Sequence, residues 1–259
     1  MAKKFILGLV GLILLCSFAG WVTAAESEEI TVSAAISLKN AFEEAKKQFE
    51  TSNKNIKVLF NFGASGDLMT QIKGGAPVDV FASAAMKDMD ELSKEGYVLL
   101  DTKTNLVTNT LVLIVPAASK VSIASFEDMT RPDIKRIAVG NPKTVPAGRY
   151  AEEVFQHYKI TEKLKGKLIF AENVRQVLDY VVRGEVDAGA VYATDAMIRQ
   201  QEVKIAATAP ETSHKPIIYP MAVVKGSKHE KAAKMFMSFI LSPDGKKFFE
   251  KYGFKPVRN

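Results

Sequence analysis

The chain has 259 residues, 47% of them hydrophobic, with 35 basic side chains against 29 acidic ones, one cysteine and one tryptophan. A chain of this length and composition builds one large or two smaller globular domains, and its mild positive charge lacks the basic stripe and interleaved aromatics of a nucleic-acid binder. One cysteine allows neither an intramolecular disulfide nor a cysteine-ligated metal site.

Lys3 and Lys4 precede an apolar run from Phe5 to about Ala19 and the small-residue segment Val22-Thr23-Ala24-Ala25. This order predicts a secretory signal peptide over residues 1–25, cut after Ala24 or Ala25, because the run falls short of the roughly 20 residues a membrane span needs. Cys16 follows Leu15 where a lipid-anchored precursor wants a small residue, so lipoprotein processing is not expected. Cleavage removes Cys16, Trp21, Lys3 and Lys4 and leaves 33 basic against 29 acidic residues, a net charge of +4. The mature protein is expected in the periplasm.

Beyond the leader, apolar runs predict strands at Ile30 to Ser33, Ile56 to Asn61, Val78 to Ala82, Leu111 to Val115, Arg136 to Val139, Lys167 to Phe170, Ala188 to Tyr192 and Ile217 to Val224. The intervening segments have helical periodicity, with Leu38, Ala41, Phe42, Ala45 and Phe49 on one face of the first. Alternating strands and helices argue an α/β fold with mainly parallel sheets flanked by helices. The runs at Leu111 and Ile217 are the expected crossovers between two domains. Residues 26–109 and 220–259 would form a discontinuous first domain, and 110–219 an inserted second one. Helices from about Lys228 to Leu241 and from Pro243 to Tyr252 would return to the first domain, and no internal repeat is visible in the sequence.

Three segments end a predicted strand and open a helix: Ser33-Ala34-Ala35-Ile36-Ser37-Leu38, Gly63-Ala64-Ser65-Gly66-Asp67-Leu68, and Asn141 through Tyr150 with its Pro146-Ala147-Gly148 turn. A helix start carries free N–H groups and the positive end of the dipole, and a serine at the N-cap adds a hydroxyl. In a parallel sheet such starts gather beyond the carboxyl ends of the strands, which points to capture of an oxyanion. His157, His214 and His229 lack metal-ligand spacing, and no nucleophile with a base, P-loop or dinucleotide fingerprint occurs.

Five segments in order carry a resemblance to a known family: Ala34 to Leu38, Phe62 to Ile72, Gly75 to Ala84, Val145 to Ala151 and Gly184 to Ala196. The chain resembles the periplasmic molybdate-binding proteins of ABC importers, within the type II periplasmic binding proteins, from about Ile30 to Val257. The resemblance implies two domains with the ligand in the cleft between them. It implies a molybdate or tungstate oxyanion held by hydroxyls and main-chain amides of Ser37, Ser65, Ala147, Val174 and Tyr192, the metal being reached only through the oxyanion oxygens. It further implies delivery to a membrane permease by a protein with no cofactor and no catalytic residue, expected to be a monomer.

Other readings of the same residues are plain. Ser37 and Ser65 would serve as helix caps, Asn173 would cap the helix through Val177, Leu178 and Val181, and Tyr192 would be packed core. Ser83 is expected to be a structural cap. Arg149 and Arg175 are expected at the rim of the site, since a directly paired arginine would attract other anions, and Asp67 is expected to face away from it. A receptor for sulfate or phosphate is the alternative, followed by a secreted enzyme on the same scaffold.

Overall fold

Strands β1 (Glu28–Ala35), β2 (Ile56–Gly63), β3 (Val80–Ala82) and β4 (Thr104–Thr108) build most of one sheet. The chain then crosses to a second sheet made of β5 (Leu111–Pro116), β6 (Ile137–Gly140), β7 (Leu168–Ala171), β8 (Ala188–Tyr192) and β9 (Val203–Thr208), and β10 (Ile218–Val223) returns to the first. The computed structural model describes residues 27–257, so the predicted leader with Cys16 and Trp21 lies outside the described residues.

The strand orders are β2-β1-β3-β10-β4 and β7-β6-β8-β5-β9. Each sheet thus has three strands paired in parallel, then one antiparallel strand, then an edge strand. The antiparallel member is in both cases the strand entered directly after a crossing, β5 or β10. The two sheets are therefore built alike although the sequence shows no repeat. Strands β4 and β9 were not expected, and their sequences explain why. Thr104-Asn105-Leu106-Val107-Thr108 and Val203-Lys204-Ile205-Ala206-Ala207-Thr208 are sheet edges that mix polar and apolar residues, so neither forms an apolar run.

Helices α1 (Lys39–Ser52), α2 (Ser65–Lys73), α3 (Met86–Lys94), α8 (Glu230–Leu241) and α9 (Pro243–Lys251) belong with the first sheet, and α4 (Pro146–His157), α5 (Thr161–Leu164), α6 (Val174–Val182) and α7 (Ala193–Ile198) with the second. Helix α1 buries the predicted stripe Ala41, Phe42, Ala45 and Phe49. The Phe42 ring meets Phe236 of α8 at 6.0 Å and Phe249 of α9 edge-on at 5.4 Å. Aromatic pairs in these geometries add to simple burial and dock both C-terminal helices onto the first sheet. Helix α9 starts with Pro243 at its first position and with Ser242 accepting from Gly245 N–H, two standard start signals.

Close backbone approach places the start of α4 over the end of β6. A Cβ added to Gly148 would sit 1.9 Å from the Gly140 carbonyl oxygen, so only glycine fits. Gly148→Ala is expected to destabilise the protein by about 2 kcal/mol through overpacking, measured as a lower urea midpoint at constant slope. Gly166→Ala, whose added Cβ meets nothing within 4 Å, is the matched control and should leave the midpoint in place.

Candidate functional site

A small cavity lies between the carboxyl ends of the two sheets. Ser37, Ser65, Ala147, Val174 and Tyr192 all line it. They arrive from both sides: Ser37 follows β1 and Ser65 follows β2, whereas Ala147 opens α4 after β6, Val174 opens α6 after β7, and Tyr192 ends β8. Ala84 and Val145 also line the wall, positions that carry no polar side chain and so gave no signal in the sequence.

Neither serine serves as a helix cap. The residue before α2 is Ala64, in an extended conformation, which puts Ser65 at the first helical position, and Ser37 lies inside a short 3-10 turn, Ile36–Leu38. The reason is local: β2 runs through Gly63, so Ala64 takes the cap position and the Ser65 hydroxyl is turned elsewhere. Its Oγ accepts a hydrogen bond from Ala84 N–H at 3.0 Å, which leaves its own proton free. The Ser37 Oγ lies 3.0 Å from the Tyr219 Oη. Tyr219 left no signal in the sequence because it lies near the start of an apolar strand far from Ser37 along the chain.

The helix starts supply the amides. Pro146 has no N–H and Gly148 N–H donates to the Val145 carbonyl, so Ala147 N–H is the first free donor of α4. Asn173 caps α6 as expected, accepting from both Arg175 and Gln176 N–H groups, which leaves Val174 N–H at the open end. In α2 the Gly66 N–H donates across the gap to the Thr144 carbonyl at 2.9 Å. The Tyr192 hydroxyl is the decisive group: it is buried, it lines the cavity, and it has no hydrogen-bond partner among the described residues. A buried hydroxyl left unmatched costs free energy. Burial also pushes the Tyr192 phenol well above its ordinary pKa, so it stays a proton donor at neutral pH.

Both arginines stand beside the cavity with their charges already matched. Arg149 of α4 donates to the buried Asp88 of α3 at 2.5 Å, an ion pair joining the two sheets' helices. Arg175 of α6 pairs with Asp195 of α7 at 2.5 Å and reaches Asn40 Oδ1 at 3.0 Å and the Ser37 carbonyl at 3.4 Å on the other side. Burial raises both carboxyl groups above the usual carboxylate range, and the adjoining guanidinium opposes the rise in each case. Ser83 is buried and donates to the Ala85 carbonyl and toward Asp88, a structural role. Asp67 is exposed and does not line the cavity. His157 is exposed, His214 and His229 are half-buried, and no cluster of metal-ligating side chains occurs among the described residues.

The model of the family described as bacterial extracellular solute-binding protein matches residues 30–255. The chain belongs to that family. This solute-binding protein is 39% identical to the molybdate-binding protein ModA of Haemophilus influenzae over 89% of its own length and 91% of the relative's. It is 38% identical to YvgL of Bacillus subtilis, named as an ABC transporter substrate-binding lipoprotein, over 98% and 99% of the two chains. Among solved structures it resembles one from Clostridium difficile named as the substrate-binding domain of a molybdenum ABC transporter. That match has 43% identity, a TM-score of 0.69, and covers 90% of this chain and 100% of the other. The fold is that of type II periplasmic binding proteins, as in the Azotobacter vinelandii periplasmic molybdate-binding protein, with a TM-score of 0.80, 23% identity, and 88% and 100% of the chains covered. No helix among the described residues is long and apolar enough to cross a membrane.

Asp195 is the buried charge on which the second wall depends, because it holds Arg175 and also accepts from the Tyr192 N–H. Asp195→Ala is expected to cost about 3 kcal/mol, the low end for breaking a buried pair, since Arg175 can turn to solvent. Chemical denaturation of the solute-binding protein without ligand measures this loss; a change below about 1 kcal/mol would show the pair to be dispensable.

Proposed function

We propose that this solute-binding protein is the extracytoplasmic receptor of an ABC importer, capturing molybdate, with tungstate as a near equivalent, and handing it to the membrane permease. The observation that carries this reading is the convergence of neutral donors from both sheets on one small cavity, including the unpartnered Tyr192 hydroxyl. The ligand-binding residues are Ser37 and Ser65, each through its hydroxyl and main-chain amide, Ala147 and Val174 through N–H groups, and Tyr192 through its phenol. No formal charge faces the ligand, since Arg149 and Arg175 are paired with carboxylates.

A neutral cage suffices for a dianion when enough donors meet it. Hydrogen bonds to a charged group contribute about 1.5–3 kcal/mol each, so six or seven give on the order of 10–20 kcal/mol before ordering costs. Micromolar to nanomolar affinity needs roughly 8–12 kcal/mol net. Phosphate is disfavoured because its remaining proton needs a buried acceptor. The carboxylates nearest the cavity, Asp88 and Asp195, are occupied by arginines, and Asp67 faces solvent. Sulfate carries no proton but is smaller, so its oxygens reach fewer donors at once.

In this reading residues 26–109 with 220–259 and residues 110–219 are two domains that hinge at the crossings and close over the anion. Contacts such as Gly66 to Thr144 and Arg149 to Asp88 belong to the closed state. Secretion through a cleaved leader and a monomeric state complete the proposal.

Isothermal titration calorimetry of the anion-stripped mature protein is the direct test. Molybdate and tungstate should bind one to one with high affinity and sulfate at least a hundredfold more weakly; tight binding of sulfate or phosphate instead would replace the ligand. Ser65→Ala should weaken molybdate about 10- to 100-fold, one charged hydrogen bond, while the protein stays folded with a melting temperature lowered by the loss of the buried Ala84 N–H partner. Gly66→Ala tests closure separately, because its added Cβ would lie 2.7 Å from the Thr144 carbonyl oxygen across the cleft. Small-angle scattering should show the wild type contracting on molybdate and Gly66→Ala contracting less; equal contraction would count against a hinge closing at this contact.

A further inference from the structure

A chain of hydrogen bonds, part-buried at Asn109 and buried at Ser37, leads from the first crossing between the sheets to one of the cavity hydroxyls. Asn109 lies in the crossing itself, between β4 and β5, and its Oδ1 accepts from Thr110 N–H at 2.9 Å. That bond fixes which way the amide faces. Its Nδ2 then donates to Tyr219 Oη at 3.2 Å and to Thr194 Oγ1 at 2.9 Å. An amide NH₂ is only a donor, so Tyr219 Oη accepts there. The phenol proton has one further partner among the described residues, Ser37 Oγ at 3.0 Å. Ser37 Oγ accepts it in turn, and the Ser37 proton is left for the cavity. Burial keeps the Tyr219 phenol protonated, its pKa raised well above the ordinary value.

We infer that Asn109 and Tyr219 are positioning residues, a one-way relay that fixes Ser37 as a hydrogen-bond donor to the bound oxyanion and thereby sets selectivity against anions that carry a proton. The inference rests on the oxyanion reading above and adds residues to it. Ser65 is polarised in the same sense by Ala84 N–H, a main-chain donor that no side-chain substitution removes. Both serines thus already accept a hydrogen bond inside the protein, from Ala84 N–H or from the Tyr219 phenol, and each keeps its own proton to donate to the cavity. The relay also spans the crossing: Asn109 bonds Thr194, two residues beyond Tyr192, while Tyr219 stands at the start of the returning strand with its ring edge-on to that of Tyr192 at 5.8 Å. The relay thus sits where the two sheets meet, beside the Tyr192 ring.

The test is a double-mutant cycle with the full mature chain, titrating sodium molybdate into the wild type, Ser37→Ala, Tyr219→Phe and the double variant. Tyr219→Phe keeps the ring and should weaken molybdate about tenfold, the loss of one oriented bond. In the Ser37→Ala background the same change should cost nothing further, because Tyr219 acts through Ser37. Losses that add, or a Tyr219→Phe affinity equal to wild type, overturn the relay. Asn109→Asp gives a second and independent reading, since a carboxylate can only accept and would reverse the direction, turning a Ser37 lone pair toward the cavity. Titrated in mildly alkaline buffer, where molybdate is unprotonated and phosphate keeps one proton, Asn109→Asp should lower the molybdate-to-phosphate affinity ratio at least tenfold. The added charge acts on both dianions and cancels in the ratio. An unchanged ratio overturns the relay even if both affinities fall. A wild type that binds no oxyanion overturns the receptor reading and the relay together, whereas a wild type that binds with additive losses overturns the relay alone.

Discussion

Desolvating a doubly charged anion without a counter-charge is the constraint on which the rest of this structure depends. A single strand end or helix start supplies one or two donors, which is too few. The fold meets the demand by building two sheets of the same strand order and facing their carboxyl ends toward each other. Each sheet then contributes helix starts to the shared cavity, and the donors reach it from opposite directions. The need for convergence explains features that look unrelated in the sequence: Pro146 and Asn173 each consume or remove neighbouring donors so that one amide is left at the helix end, and Gly66 and Gly148 allow backbones to approach where a Cβ would collide.

Charge is present near the cavity but is spent within the protein. Arg149 and Arg175 stand beside the cavity, and Asp88 and Asp195 satisfy them at short range. An unpaired arginine facing the ligand would bind anions of many kinds strongly. Neutral donors instead demand that every oxygen be placed correctly, so shape and protonation state decide what is held.

Much of this was legible in the sequence, and the remainder was not for identifiable reasons. Strands that are apolar throughout, such as β8, and the stripe of α1 announced themselves by periodicity. The edge strands β4 and β9 did not, because one side of each lacks a neighbouring strand and their sequences mix polar and apolar residues without a strand period. Ser37 and Ser65 were visible as hydroxyls near strand ends, and the plainer reading of them as helix caps does not hold: Ala64 occupies the cap of α2, and Ser65 accepts from Ala84 N–H instead. Ala147 and Val174 line the cavity, and the roles proposed for them rest on backbone amides, which no side chain advertises, so only the resemblance to a family pointed to them. Asn109 and Tyr219 left no trace at all. Their partnership spans 110 positions and depends on two crossings meeting in space, and inside an apolar strand a tyrosine reads as core.

Under the proposed hinge motion, the same contacts bear on what would hold the cleft shut. Arg149 and Asp88 are exposed to water when the sheets move apart and lose that hydration when they meet, so the pair comes close to breaking even on closing. Arg175 is neutralised by Asp195 on its own side, and its reach across the cleft is to neutral groups, Asn40 and the Ser37 carbonyl. Gly66 to Thr144 is one backbone hydrogen bond, which contributes about 1 kcal/mol net. None of these biases the equilibrium strongly, and together they fix the register of closure more than its extent. An anion that bridges both walls engages donors on each side only in the closed form, so its differential affinity for that form is large. Weak direct contacts across the cleft are thus the condition for a ligand to control it: had the protein closed tightly by itself, the anion would have had no way in.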